Sequence, residues 1–366
     1  LLFLEMRQPK QKSDQKTFGA LAKDFLNSGL NDYRLADKSE KHEYKKSTIN
    51  KYKKLINTYI LLKGSSIVRD RLSNVIEYDD RISNKPLKDY PLKDIEQWHI
   101  EVVQTRMKET KTTANDVVKM ISIIYSWAIK KKKIKAINPV QNITKFKENK
   151  IKIKLDEVDR KKVIDYCFSK AFDFFPRFLT YIALLLLTGK REEELLHLAW
   201  KQPTDKKHFE ECSGWLVDNW EREKMIYLRD TKNRKSELVY IDNQSLQILL
   251  RLQRSRYTEK NAWAVKSPFL FPQKNNIYKT ATYSSFRKHL AALNERLELS
   301  TKLMFKICRK TFGSYIAQKK GIEIAARKLN HSSTKVTRDH YIVPEDDELK
   351  IDNIYESNVE QLKKAE

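Results

Sequence analysis

The feature that most constrains this chain is an apolar run, FLTYIALLLL (178–187), followed at once by TGKREEELLHLAW (188–200). Such a run is typical of a buried helix and is too short to cross a bilayer. The glycine and the charges that follow predict that the helix stops in a turn, which places Arg191 at the edge of the core. Because charged side chains are rarely buried without a partner, Arg191 requires an anionic group nearby.

Composition indicates a globular, strongly basic protein with room for two domains. The chain has 366 residues, and 40% of them are hydrophobic. Lysine and arginine number 73 against 48 acidic residues, and the net charge of +25 favours a nucleic-acid partner over a merely solvated basic surface. Cys167, Cys212 and Cys308 lack paired spacing, which favours a reducing, cytoplasmic location. Neither a signal peptide nor a membrane span is predicted.

The first part of the chain predicts a small helical domain at 17–142. Residues 1–16 are expected to form a flexible lead-in, and a module preceding Leu1 is left open because the chain opens without methionine. A basic stretch at 143–155 predicts an interdomain linker. Apolar residues recur at helical spacing in four segments of the first domain, namely 17–27, 47–62, 91–107 and 112–133.

The second part of the chain, residues 156–345, predicts an α+β domain. Two short strands, KMIYLR (224–229) and SELVYI (236–241), flank DTKNRK and predict a hairpin. Residues 346–366 predict an amphipathic tail helix. Helices are expected around this hairpin, at 156–198, 243–256, 281–297, 306–319 and 322–330. The fold class expected is therefore mainly α with a small antiparallel β-sheet.

Once the common metal and nucleophile motifs are excluded, a set of cationic residues and one late tyrosine remains. These residue types suit phosphodiester transfer without a metal or another cofactor. The histidines lack the close pairing of a zinc site, and no glycine-rich phosphate loop or GxSxG motif occurs. Two arginines can stabilise the charge that develops on phosphorus, a tyrosine can attack it, and a lysine can protonate the leaving oxygen.

Four stretches resemble the motifs of the tyrosine recombinase family, of the phage-integrase kind. LLLLTGKREEELLHLAW is similar to the first-arginine box, and LRDTKNRKSELVYI to the hairpin with the catalytic lysine. FKICRKTFGSYIA is similar to the second-arginine box, and KLNHSSTKVTRDHYI to the box with a late histidine and the nucleophile. Their order and spacing agree with the family. The resemblance implies a helical, SAM-like core-binding domain followed by an α+β catalytic domain.

The resemblance also implies a role for each residue of these boxes. Glu194, three residues after the first arginine, is expected to orient it. Asn330 replaces the usual glycine before the late histidine and can adopt positive φ. The implied catalytic residues are Arg191, Lys232, Lys306, Arg309, His331 and the nucleophile Tyr341.

Two of these assignments leave an alternative open. Lys306 stands where the family usually has histidine. We expect it to donate to the phosphate and not to accept the tyrosine's proton, because lysine normally stays charged, so the identity of the base stays open. Lys235 is the rival of Lys232 for the acid. Cys308, next to Arg309, is expected to be a small core residue.

The implied partner is double-stranded DNA with specific recombination sites. We expect a monomer in solution and a tetramer on synapsed DNA, with accessory DNA-bending proteins and no membrane association. Two other functions stay open, a type IB topoisomerase-like activity and a catalytically inactive DNA-binding protein. The expected DNA-contacting residues are Lys130, Lys131, Lys132, Lys133, Lys145, Lys147, Lys150 and Lys152.

Overall fold

The chain divides into two compact units, residues 1–149 and 150–366. The computed structural model describes residues 16–30, 46–62, 86–132, 134–148, 153–229 and 236–340. The division falls inside the stretch predicted as a linker. Residues 143–148 are held to the first unit, because the Asn115 side chain donates to the Phe146 carbonyl and accepts from its N–H, both at 2.9 Å.

The described part of the first unit is helical. Its helices are α1 (Phe18–Asp24), α2 (Lys46–Leu55), α3 (Gln97–Arg106) and α4 (Lys111–Lys131). Helices α1 and α2 continue into π-helical turns, Phe25–Gly29 and Ile56–Ile60. Helix α4 supplies the centre of the core, where Tyr125 stacks on Phe18 and Trp127 meets the ring of Phe25 edge-on.

One predicted helix of this unit, 91–107, is wrong at its start. Helix α3 begins only at Gln97, and the residues before it form a 3₁₀ turn at Leu92–Asp94. The backbone groups there are engaged elsewhere, because the N–H of Phe18 donates to the Tyr90 carbonyl and the N–H of Leu92 donates to the Lys16 carbonyl. These pairings to the start of α1 replace the hydrogen bonds that a helix would make.

The second unit is built around the apolar run of the sequence. That run forms α6 (Pro176–Thr188), which is buried along nearly all of its length against α5 (Glu157–Phe168), α10 (Asn243–Ser255) and α12 (Phe305–Lys320). The other helices are α7 (Glu192–Leu196), α8 (Lys206–Glu211), α9 (Trp220–Glu223), α11 (Tyr283–Leu297), α13 (Ile322–Lys328) and α14 (Thr334–His340).

A small sheet completes this unit, with strand order β1 (Leu198–Ala199), β2 (Gly214–Leu216), β3 (Met225–Leu228) and β4 (Glu237–Tyr240). The predicted hairpin is confirmed as the antiparallel pair β3–β4, in which Leu228 faces Glu237. The mainly α class with one small sheet is also confirmed. The sheet is mixed where an antiparallel one was expected, because β1 pairs with β2 in parallel.

Two smaller expectations concern the cysteines and membranes. Cys167, Cys212 and Cys308 are free and buried, so the expectation that Cys308 is a core residue is confirmed. Among the described residues, no helix has the length and apolar character that a membrane span needs. The predicted tail, 346–366, lies outside the described residues.

Candidate active site

The turn after α6 depends on Gly189. This residue has φ 63°, a left-handed conformation that L side chains rarely adopt. A Cβ atom here would lie 2.1 Å from Cδ1 of Phe312 on α12. Glycine therefore lets the chain leave α6 close to α12 and begin α7 three residues later, at Glu192.

Arg191 caps the start of α7 and is held there by Glu194. The Arg191 guanidinium donates from Nη1 to Glu194 Oε1 at 2.7 Å, and the Arg191 backbone N–H donates to Oε2 at 2.8 Å. The Arg191 side chain is 25% exposed and that of Glu194 only 10%. The carboxylate thus holds the arginine at the start of α7, and part of the Arg191 side chain stays exposed. The orienting role expected for Glu194 stays a prediction.

Arg309, on the first turns of α12, joins three parts of the site. It is 6% exposed. Its Nη1 donates to the Gly189 carbonyl at 2.8 Å, and its Nη2 donates to the Leu329 carbonyl at 2.6 Å. Nη2 also lies 3.1 Å from Nε2 of His331. Arg309 therefore brings the turn before Arg191 and the turn before His331 to one place.

The contact with Arg309 assigns the tautomer of His331. A guanidinium can only donate, so Nε2 of a neutral His331 accepts and Nδ1 carries the proton. Nδ1 lies 2.7 Å from Oγ1 of Thr337, which is fully buried. The ring is therefore held between α12 and α14.

The turn before His331 is stabilised by Asn330. This residue has φ 51°, so the expectation that asparagine replaces glycine in a positive-φ conformation is confirmed. Its Nδ2 donates to Glu237 Oε2 at 3.0 Å, at the start of β4.

Lys306 lies exposed on the first turn of α12, three residues before Arg309 and hence on the same face of the helix. Phe305, beside it, packs against Tyr181 and Tyr283 with ring centroids 5.4 and 6.0 Å away. Burial raises the pKa of the nearby Glu192 carboxyl, and a hydrogen bond from Tyr283 and the charge of Lys306 oppose that rise. Lys306 is thus an exposed cation within the second-arginine box, and its charge acts on Glu192, the residue after Arg191.

The sequence profile of the phage integrase family matches residues 146–348, which is more than half of the chain. The chain belongs to the phage integrase family. No curated protein sequence matches it significantly.

Solved structures show the same fold as this phage integrase family member. A lambda integrase dimer bound to a COC′ core site is 13% identical, with TM-score 0.61, over 93% of this chain and 81% of that one. A lambda integrase tetramer bound to a Holliday junction is 14% identical, with TM-score 0.59, over 90% and 79%. A Tn1549 transposon integrase in complex with a circular intermediate DNA is 15% identical, with TM-score 0.57, over 95% and 99%.

Two catalytic residues expected in this family member lie outside the described residues. Lys232 and its rival Lys235 belong to 230–235, between the paired strands β3 and β4. Tyr341 is the residue after α14. Their roles stay predictions.

The lysines expected to contact DNA are exposed wherever the structure describes them. Lys130 and Lys131 end α4, and Lys132 places its ammonium 5.4 Å from the Trp127 ring. Lys145 and Lys147 are exposed on the segment that Asn115 holds. The other three, Lys133, Lys150 and Lys152, lie outside the described residues.

Sequence reasoning missed two charged residues of the site, Lys190 and Glu237. Lys190 directly precedes Arg191, and its side chain is 3% exposed. Its Nζ donates to Glu237 Oε1 at 2.5 Å and to the Lys328 carbonyl at 2.8 Å. Burial lowers the pKa of the Lys190 ammonium, and the Glu237 carboxylate opposes that shift. The available signal was the lysine inside TGKR, a charge at the edge of a buried helix that needs a partner.

The described residues contain no group of three or more His, Cys, Asp or Glu that could hold a metal ion. The described polar groups at the site are cations, carbonyls and carboxylates, and among the carboxylates Glu194 and Glu237 pair with Arg191 and Lys190. Such a set suits a phosphodiester anion and the extra negative charge that develops on it when phosphorus is attacked.

Proposed function

We propose that this protein is a site-specific DNA recombinase that cuts and rejoins strands through a 3′-phosphotyrosyl intermediate. The observation that carries the proposal is the set of contacts made by Arg309, which joins the Gly189–Arg191 turn to the turn that bears His331. Two arginines on adjoining turns can bind the non-bridging oxygens of one phosphate.

In the first step Tyr341 gives up its phenolic proton to solvent, its oxygen attacks phosphorus, and the bond to the 5′-oxygen breaks. Lys232 gives its proton to that oxygen, while Arg191, Arg309 and Lys306 stabilise the charge on the phosphate. His331 supports the site through its contact with Arg309. In the second step the 5′-hydroxyl of a partner strand loses its proton and attacks phosphorus, the bond to the Tyr341 oxygen breaks, and that oxygen takes up a proton. Because that bond preserves the energy of the phosphodiester, the reaction requires neither a metal nor ATP.

The proposed substrate is double-stranded DNA, bound by a core-binding domain at 17–142 and a catalytic domain at 156–345. The net charge of +25 and the exposed lysines at the end of α4 support a polyanionic partner. Relatives of the same fold are bound to a core site or, as a tetramer, to a Holliday junction. We extend that assembly to this chain: a monomer in solution, a tetramer on synapsed sites, and accessory proteins that bend the DNA.

A suicide substrate with a nick beside the cleavage point tests the covalent step. The wild type should form a protein–DNA adduct, and Tyr341→Phe should bind the same DNA without forming any. An adduct that survives Tyr341→Phe would assign the nucleophile elsewhere. Absence of any adduct with the wild type on its own sites would favour an inactive DNA-binding protein.

A two-site assay separates recombination from topoisomerase-like resealing. Two sites on one plasmid should give exchanged products with the wild type. Relaxation of supercoils without exchanged products would favour the topoisomerase-like alternative. The DNA that flanks the gene, searched for inverted repeats, supplies the sites for both assays.

A further inference from the structure

Lys190 and Glu237 form a buried ion pair that the proposed chemistry does not use. Lys190 is 3% exposed at its side chain and Glu237 20%, so neither can be a freely solvated surface charge. The two residues are 47 positions apart in the chain, at the end of the α6 turn and the start of β4. Replacing such a pair by apolar residues of similar size often costs no stability, so its presence alone is not explained by folding energy.

Lys190 and Glu237 both form hydrogen bonds with the segment 328–330, which leads to His331. Three consecutive residues are held there by three different side chains. Lys190 donates to the carbonyl of Lys328 at 2.8 Å, Arg309 donates to the carbonyl of Leu329 at 2.6 Å, and Glu237 accepts from the side chain of Asn330 at 3.0 Å. The backbone of 328–330 therefore has few ways to shift without breaking a charge-assisted hydrogen bond.

The same contacts connect this segment to the two arginines. Arg309 also holds the Gly189 carbonyl, which immediately precedes Lys190, and Arg191 immediately follows Lys190. The segments 189–191 and 328–331 are thus tied twice, once through Arg309 and once through Lys190 with Glu237. Loss of the second tie removes the hydrogen bonds that Lys190 and Glu237 make to Lys328 and Asn330, and so weakens the hold on the turn that leads to His331.

We propose that Lys190 and Glu237 are positioning residues that hold the 328–331 turn against Arg309, and so set Arg309 and His331 for the scissile phosphate. This inference rests on the proposed function, since it concerns the same site. Neither residue is assigned a contact with DNA. A displacement on the order of 1 Å in such a site can cost roughly 10²-fold in rate, which sets the size of the expected effect.

The test uses a double variant that removes both charges, Lys190→Met with Glu237→Leu. Both replacements are close in volume, and no unpaired buried charge is left, so we expect near-wild-type stability to denaturant. The single variant Lys190→Met leaves Glu237 without its cation and should be less stable than the double variant. Lys161→Met is the matched control, because Lys161 pairs with Asp165 on an exposed face of α5, with side chains 76% and 62% exposed.

Cleavage is measured in single turnover on two nicked substrates, one ordinary and one with a 5′-bridging phosphorothiolate. Thiolate leaves without an acid, so the second substrate removes any effect that acts only through the leaving group. We expect the double variant to bind DNA like the wild type and to cleave both substrates roughly 10²-fold more slowly. Lys161→Met should match the wild type throughout.

Two results would overturn the proposal. Near-wild-type cleavage by the stable double variant would show that the pair serves folding only. Recovery on the phosphorothiolate alone would show that it acts on the leaving group and not on Arg309 and His331. If the double variant does not fold, the milder change Glu237→Gln takes its place. The proposal then requires that Glu237→Gln slow the cleavage of both substrates. A wild type without any adduct would instead contradict the proposed function itself.

Discussion

At the scale of single residues, the shape of the guanidinium matters as much as its charge. Arg309 reaches the carbonyls of Gly189 and Leu329 with different nitrogens. Lysine carries its donors on one nitrogen and has no planar fork, so Arg309→Lys cannot place a separate nitrogen at each of these carbonyls. We expect Arg309→Lys and Arg191→Lys each to lose roughly 10²-fold or more in covalent trapping. DNA binding should change little, because many other phosphate contacts dominate it. Either variant cleaving at the wild-type rate would contradict the assignment.

Lys306 offers a second residue-scale prediction, because it is exposed and shares a helix face with Arg309. If it donates to the phosphate, Lys306→His should keep substantial cleavage and Lys306→Ala should lose about tenfold or more. Lys319, exposed in the last turn of the same helix, gives the control Lys319→Ala, which should be inert. An unaffected Lys306→Ala would remove this residue from the site.

The residue that protonates the leaving 5′-oxygen is tested with the same 5′-bridging phosphorothiolate substrate. Lys232→Ala should cleave ordinary DNA poorly and recover on the 5′-bridging phosphorothiolate, because thiolate leaves without a proton. Lys235→Ala should behave like the wild type on both substrates. Recovery by Lys235→Ala in place of Lys232→Ala would reassign the acid to the neighbouring lysine.

At the scale of elements, the turn between α6 and α7 decides where both arginines lie. Gly189→Ala must place a Cβ at positive φ, which costs about 1–2 kcal/mol, and the clash with Phe312 adds to this. We expect a lower free energy of unfolding in denaturant and slower cleavage. Combining it with Phe312→Leu should recover part of the stability lost to the clash. A fully stable Gly189→Ala would mean that the turn has room to move.

The same elements show what the sequence can and cannot predict. The apolar run and the β3–β4 hairpin follow from local patterns, and the positive φ of Asn330 follows from the resemblance to a family that usually has glycine there. The structure has all three. Strands β1 and β2 have two and three residues, too few to display an alternation, and their parallel pairing makes the sheet mixed. The Lys190–Glu237 pair joins residues 47 positions apart, a contact that no local spacing encodes.

At the scale of the whole molecule, the second unit has a groove that suits the predicted tail helix. It has a volume of about 710 Å³ and lies between β4, α12 and α13. Leu238 and Tyr240 on its β4 side are 53% and 67% exposed. Among the charged residues that line the groove, Arg160, Lys320 and Arg327 complement the acidic start of the tail, EDDE (345–348), and Asp242 and Glu237 are the acidic ones. The groove is also lined by apolar residues. These suit the apolar face of the predicted tail helix, whose residues recur at mostly three- or four-residue steps: Leu349, Ile351, Ile354, Tyr355, Val359 and Leu362.

The tail, residues 346–366, is our predicted occupant, supplied by a neighbouring protomer. Its stripe is short, and an isolated helix of this length is marginal in water, so it needs a surface to pack on. Truncation after residue 346 should leave a folded protein that binds a single site, fails to form the tetrameric synapse, and cleaves weakly or without coordination.

Tyr240→Asp places a charge on the exposed side of the groove and should reproduce the loss of synapsis in the full chain. Lys201→Asp, at an exposed residue outside the groove, should not. Gel-shift assays with one and two sites measure both effects. Normal synapsis and recombination by the truncated protein would show that the tail packs on its own protomer or plays no part.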